Sequence, residues 1–169
     1  MRRDLIQFCV RSCSLGRLLV ASTGRGVCFV RFGTRDAELR ELLECEFPFG
    51  EFARDQGEML REWADAIAAY IDGREEGLDV PLDVRGSKFQ KRVWGALRRI
   101  PRGRTRSYSD VAGSIGQPRA ARAVARACAT NPVPVATPCH RVIEKSGGLG
   151  GYSGGVERKR ALLERERAL

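Results

Sequence analysis

Apolar residues cluster in three short runs near the start of the chain, 5–10, 17–21 and 27–32, which are rich in Leu, Val, Ile and Phe. Ser14-Leu15-Gly16 and Thr23-Gly24-Arg25-Gly26, which separate them, are turn-forming, so the pattern predicts an antiparallel meander. The period then changes. Leu39, Leu42 and Leu43 make one apolar stripe at helical spacing, and Leu60, Trp63, Ala64, Ile67 and Ile71 make a stronger one that Gly73 can end. Residues 73–86, with Glu75-Glu76-Gly77 and Pro81, read as the connection between two lobes. The expected division is a first domain over 1–80 and a second over 81–169.

In the second lobe Phe89, Val93, Ala96, Leu97 and Ile100 share a helical face, with Ser87 as N-cap and Lys88, Lys91, Arg92, Arg98 and Arg99 on the other side. Pro101-Arg102-Gly103 ends that helix. Ser107 with Asp110 has the capping-box spacing, and Val111 with Ile115 predicts a short helix stopped by Gly116. A further helix is expected from Pro118, taken as its first residue, to about Ala129, with Arg119, Arg122 and Arg126 on one stripe. Two short helices joined by a glycine turn predict a helix-turn-helix, whose alanines allow close approach to a nucleic-acid groove. An ordinary surface helix with a basic face is the alternative. The fold class expected is α+β: an antiparallel sheet with helices, then a mostly helical, winged-helix-like lobe.

Charge sharpens this division. The chain has 169 residues and a formal charge of +9, but residues 1–84 carry 11 basic and 16 acidic side chains, and residues 85–169 carry 19 and 5. From Arg85 to Ile143 the one acidic residue is Asp110. Such a block suits a polyanion, nucleic acid or an anionic membrane surface, or is simply a solvated basic face. Arg2 and Arg3 begin the chain as a signal peptide might, but Asp4, Arg11 and Arg17 interrupt the apolar stretch one needs, and no apolar run has the length of a membrane span. A cytoplasmic protein, or a nuclear one in a eukaryote, is expected, with no membrane partner. The six cysteines include no CxxC pair and His140 is the single histidine, so neither a disulfide framework nor a zinc site is expected; Cys9, Cys13, Cys28, Cys45 and Cys128 read as buried small hydrophobes.

The chemistry concentrates after the helix-turn-helix. Pro132, Pro134 and Pro138 favour an extended path that ends in Cys139-His140. A thiolate is a strong nucleophile and a neighbouring imidazole a common way to generate it. Adjacent residues on an extended strand face opposite ways, so a turn or an intervening water is needed for the pair to act together; an inert buried cysteine beside a hydrogen-bonded histidine is the alternative. If 156–169 is helical, Leu162, Glu166 and Leu169 share its apolar stripe, whereas Glu164 faces outward near Arg160 and Arg167. An inward carboxylate needs a partner, either His140 or one of the many arginines.

Phe89-Gln90, Val93-Trp94, Ile100-Pro101, Gly103, Thr105, Ser107-Tyr108, Ala121-Arg122-Ala123-Val124, Asn131-Pro132, Pro138-Cys139-His140-Arg141-Val142-Ile143 and Gly151-Tyr152-Ser153-Gly154-Gly155 together resemble the O6-alkylguanine-DNA alkyltransferases, that is, the methylated-DNA-protein-cysteine methyltransferases. The resemblance is dense over 82–166. The acidic first half resembles that family's ribonuclease-H-like N-terminal domain by layout rather than by motif.

The resemblance implies a single-turnover repair enzyme, a methylated-DNA-protein-cysteine S-methyltransferase, that flips an O6-alkylguanine out of double-stranded DNA and takes the alkyl group irreversibly onto Cys139. O4-methylthymine would be a poorer substrate. It further implies His140 as a base acting through water, Glu166 orienting it, Tyr108 protonating the departing guanine at N3, and Asn131 bracing the turns. Pro134, Tyr152 and Ser153 would shape the pocket, with backbone at Cys139 and Val142 reading the base edge. Arg122 would fill the vacated stack from a helix in the minor groove, and Tyr108, Ser109, Arg119 and Ala121 would contact DNA. A monomer is implied, with alkylated duplex DNA as partner and no cofactor or metal. Thr137 departs from the aliphatic residue usual at its position, and the zinc domains of some family members are not expected. A lesion-binding protein without transfer, or a helix-turn-helix regulator, is the alternative; members of the first kind lack the cysteine present here as Cys139.

Overall fold

A computed structural model describes residues 5–54 and 57–169, so Arg2, Arg3 and Asp4 of the N-terminal reading lie outside the described residues. The chain divides into two compact units at Arg85/Gly86.

In the first unit the three apolar runs form β1 (Leu5–Cys13), β2 (Gly16–Ser22) and β3 (Val27–Gly33), paired antiparallel in sequence as the turn residues predict. Two helices come next, α1 (Asp36–Glu46) and α2 (Glu58–Ile71), with Leu39 and Leu43 buried on one and Leu60, Ala64, Ile67 and Ile71 on the other. Between them lies a strand the hydrophobic pattern did not announce: β4 (Glu51–Arg54) pairs parallel to β1 and gives the sheet order β3-β2-β1-β4. Four residues reading Glu-Phe-Ala-Arg carry too little alternation to predict a strand; the open edge of β1 supplies the pairing. Ile6, Phe8, Leu19, Ala21, Cys28 and Phe29 pack on Leu39 and Leu43. Leu18 and Val20, pointing the other way from β2, are also buried, so both faces of the sheet are covered, the second by α2 against β1 and β2.

The connecting segment is not a loose tether. Val27 N–H donates to the Pro81 carbonyl (2.8 Å) and Asp83 N–H to that of Val27 (2.9 Å), which covers the outer edge of β3. The cysteines depart from expectation: Cys28 and Cys128 are buried, but Cys9 and Cys13 are half-buried and Cys45 is exposed. Cys45 lies on the solvent side of α1, where the apolar stripe of Leu39 and Leu43 does not reach.

The second unit begins with α3 (Lys88–Arg98), whose Ser87 and Gln90 complete a capping box, and α4 (Tyr108–Ser114), capped the same way by Ser107 and Asp110. Gly116, at φ 72°, makes the turn into the next helix. That helix, α5 (Ala121–Ala129), starts three residues later than predicted. Ala120 N–H bonds the Gln117 carbonyl at 2.9 Å, so Pro118 and Arg119 sit in a separate turn and Arg119 is not on the helical stripe of Arg122 and Arg126. Val93, Leu97, Val111, Ala112, Val124 and Ala127 are buried as these three helices pack together. The Trp94 indole donates to the Ala127 carbonyl (2.9 Å). β5 (Arg106–Ser107) and β6 (Val142–Ile143) make a short parallel pair, and α6 (Val156–Arg165) closes the chain. Arg167, at φ 57°, and the exposed Leu169 show that helix ending before the predicted stripe is complete.

Candidate active site

Asn131 ends the path out of α5 and organises the turn that leads to Cys139. Its Oδ1 accepts the Val133 N–H (3.0 Å), and its Nδ2 donates to the Thr137 carbonyl (2.8 Å) and to Cys139 Sγ (3.2 Å). These bonds hold a turn in which Val135 sits at φ 74°, a conformation costly for a β-branched residue. Pro138 leads into a 3-10 turn, Cys139–Arg141, rather than an extended strand. The turn is one of the two arrangements by which neighbouring Cys139 and His140 can serve one reaction. Asn131 is fully buried, so Asn131→Ala leaves the Val133 amide without its partner and the Thr137 carbonyl with the Cys139 N–H alone. At about 1–3 kcal/mol for a buried group left unsatisfied, the expected loss of unfolding free energy is about 1–3 kcal/mol, read from denaturant midpoints. A loss under about 1 kcal/mol would show that the turn holds without this side chain.

Cys139 is 4% exposed and lines a cleft of about 310 Å³ with Tyr108, Ala125, Cys128, Ala129, Gly151, Tyr152 and Ser153. Tyr108, Tyr152 and Ser153 of the expected pocket are therefore brought to the cysteine. Pro134 and Val142 are buried and are not among the lining residues. Burial, reinforced by Cys128, Cys139 and Glu144, pushes the Tyr108 phenol up to about 12, so it stays protonated as a hydrogen-bond donor at neutral pH. Gly150, at φ 69°, makes room for it: a Cβ there would stand 2.8 Å from the Tyr108 hydroxyl.

Beneath the cysteine lies a buried polar cluster. His140 is fully buried, with Nε2 2.8 Å from Glu166 Oε1 and Nδ1 without a hydrogen-bond partner among the described residues. Burial holds its imidazole below the ordinary range, against the opposing pull of Glu166. Glu166, just past α6, also takes Arg141 in a two-pronged pair, Nε to Oε2 and a terminal nitrogen to Oε1, each 2.9 Å. Both partners left open by the sequence are thus engaged at once.

Lys159 and Cys128 were not expected here. Lys159 is fully buried, and its Nζ donates to the carbonyls of Val142 (2.6 Å) and Gly151 (3.3 Å), tying α6 to both ends of the loop that borders the cleft. Burial lowers its ammonium from the usual lysine range, while Cys139, Cys128 and Glu144 pull the other way. Its spacing of i, i+3, i+4 and i+7 with Leu162, Leu163 and Glu166 was the available signal. Burial pushes the Cys128 thiol up to about 12, which keeps it protonated and inert.

On the outside of the same unit, Arg122 and Arg126 are exposed on α5, Ala121 is half-buried at its start, and Ser109 is exposed in the first turn of α4. Arg119 borders an open depression with Gln117, Pro118 and Ala120. Among the described residues no group of three or more His, Cys, Asp or Glu is placed to hold a metal ion, and no helix is long and apolar enough to cross a membrane.

The unit that carries this cleft pairs two short helices joined by a glycine turn with a buried cysteine, histidine and glutamate, and the likeness to known proteins specifies its family. Residues 88–168 match the family described as 6-O-methylguanine DNA methyltransferase, DNA binding domain, and residues 6–84 match its ribonuclease-like domain. The chain belongs to the 6-O-methylguanine DNA methyltransferase family. It is 42% identical over 151 residues to the inducible methylated-DNA–protein-cysteine methyltransferase of Bacillus subtilis, covering 88% of this chain and 83% of that one. It is 44% identical over 161 residues to the bifunctional transcriptional activator/DNA repair enzyme Ada of Escherichia coli, covering 95% of this chain but 45% of that one, so it spans about half of that relative. A crystal structure of Mycobacterium tuberculosis O6-methylguanine methyltransferase aligns with a TM-score of 0.78 at 38% identity, over 96% of this chain and 93% of that one. A complex of the Mycobacterium tuberculosis protein with DNA aligns at 39% identity with the same TM-score, over 97% and 93%.

Proposed function

We propose that this protein repairs double-stranded DNA by moving the alkyl group of O6-alkylguanine, and less readily that of O4-methylthymine, irreversibly and once onto Cys139. The observation that carries the reading is the placement of Cys139 on the cleft with Tyr108 on its wall and the His140–Glu166 pair buried behind it. In the step proposed, the Cys139 proton passes through a water to His140, the Sγ–carbon bond forms, and the carbon–O6 bond breaks. Tyr108 gives a proton to guanine N3 as charge develops on the base and regains one from His140 through solvent, so the products are neutral guanine and a thioether. A soft sulfur nucleophile and a positioned donor suffice for this displacement, and we assign it no metal or cofactor.

A stacked base is out of reach of a buried thiol, so the nucleotide must leave the duplex, at a cost of a few kcal/mol. Arg122, exposed at the start of α5, fills the gap in this reading, and Ser109, Arg119 and Ala121 are assigned to contacts with the duplex. The protein acts as a monomer in the cytoplasm, or in the nucleus of a eukaryote. The decisive test is intact-protein mass spectrometry after incubation with an O6-methylguanine duplex: one methyl group is gained, on the peptide that contains Cys139. Failure to gain it, or gain elsewhere, overturns the reading. Arg122→Ala is expected to slow transfer from duplex DNA by about tenfold or more, since each 1.4 kcal/mol of lost support is tenfold, but to change transfer from the free base little. Equal losses on both substrates would remove Arg122 from flipping.

A further inference from the structure

Glu166 has two cationic or potentially cationic neighbours, and the geometry decides which one carries the charge. The Arg141 fork is complete, with both of its bonds to the carboxylate at 2.9 Å, and the remaining terminal nitrogen donates to the Ile100 carbonyl at 2.6 Å. Each of the three nitrogens of that guanidinium has a partner, and a guanidinium does not give up its proton in a protein. His140 differs. Its Nε2 meets a carboxylate oxygen, which has no proton to offer, so Nε2 is the donor; its Nδ1 is buried with no acceptor among the described residues. An imidazolium would bury a second N–H with no protein acceptor among the described residues, whereas a neutral ring with its proton on Nε2 leaves a lone pair there to meet a water.

We propose that Arg141 is a positioning residue that balances the charge of Glu166 and thereby keeps His140 a neutral Nε2–H imidazole whose Nδ1 is open to accept a proton. The charged groups acting on the ring are Glu166 and Lys159 from the α6 segment and Arg141 in its own turn, which Cys139 begins. Two are cations, and one is a carboxylate that already has a cation bound. Without Arg141 the same carboxylate would find its nearest counter-charge by protonating His140. The ring would then be an acid with no lone pair to take the thiol proton. The importance of this for transfer rests on the alkyl-transfer reading; the proton state itself does not.

The protein has one histidine, so its imidazole resonances identify themselves. Long-range ¹H–¹⁵N spectra of the full chain across the neutral pH range should show a neutral ring with the proton on Nε2. Arg141→Gln, which keeps a donor but removes the charge, is expected to turn His140 into an imidazolium at neutral pH. It should also move the acid limb of the single-turnover rate profile up by about 1–3 pH units, the range for losing a nearby charge. Arg141→Lys, which keeps the charge, should leave the ring neutral and the limb near its wild-type position. If Arg141→Gln does not fold, the double change Arg141→Gln with Glu166→Gln removes both charges together and should again give a neutral ring. The proposal is overturned if wild-type His140 is already charged at neutral pH, if it carries its proton on Nδ1, if Arg141→Lys charges it, if Arg141→Gln leaves the ring and the limb unchanged, or if the double change leaves an imidazolium. Loss of methyl transfer in the wild type with the imidazole behaving as expected would instead defeat the functional reading and leave this one standing.

Discussion

Cys139→Ser is expected to abolish methyl acceptance, with the rate falling on the order of a thousandfold or more, as is usual when the nucleophile of a catalytic unit is removed. The fold should change little. Serine is slightly smaller, the site is 4% exposed, and the Asn131 Nδ2 that donates to the sulfur at 3.2 Å can donate to a hydroxyl oxygen. Stability should therefore stay within about 1 kcal/mol of wild type, and duplex binding, which the proposed function assigns to exposed residues of α5 and its surroundings, should persist. The contrast with Cys128 makes the experiment specific. Both thiols line the cleft, but burial pushes that of Cys128 up to about 12, so Cys128→Ala should still take up one methyl group. Methyl uptake by Cys139→Ser, or its loss in Cys128→Ala with the fold intact, would remove Cys139 from its role as the acceptor.

The second large effect is on stability. Glu166→Ala removes the carboxylate on which both Arg141 and His140 converge, and Arg141 is 9% exposed with its guanidinium directed inward. Breaking one side of a buried ion pair typically costs about 3–5 kcal/mol because the remaining charge is left uncompensated. A loss of that size is expected in the unfolding free energy from denaturant midpoints at neutral pH. Glu166→Gln should cost less, since an amide oxygen still accepts from the guanidinium. A loss below about 1 kcal/mol in the alanine variant would mean that water reaches Arg141 and that the cluster is less closed than its geometry requires.

Much of the local structure was legible because its determinants are local. Ser87 with Gln90 and Ser107 with Asp110 form their capping boxes because each box needs only residues three apart. The three N-terminal strands follow their own apolar runs. The errors fall where a neighbour in space overrode a neighbour in sequence. β4 exists because β1 offered an unpaired edge, and the turn at Gln117–Ala120 took Pro118 and Arg119 away from a helix they could have begun. The last helix stops at Arg165, one residue before Glu166, whose carboxylate is held by partners 25 and 26 residues earlier in the chain. Lys159 lies on the inward stripe, yet nothing local marks it as buried, since a lysine's ordinary cost of burial is repaid here only by two carbonyls from elsewhere in the chain.

The amino-acid sequence by itself determined the α+β class, the acidic and basic halves and the helix-turn-helix, because periodicity, caps and charge are properties of short segments; Cys139 was singled out as the proposed nucleophile by the family its motifs resemble. Only the tertiary structure decided that Cys139 and His140 sit in a 3-10 turn, that Glu166 serves Arg141 and His140 together, and that Lys159 fastens the loop beside the cleft. Those are questions of which buried polar group meets which partner. No spacing rule answers them, because the partners come from segments that fold only in one another's presence.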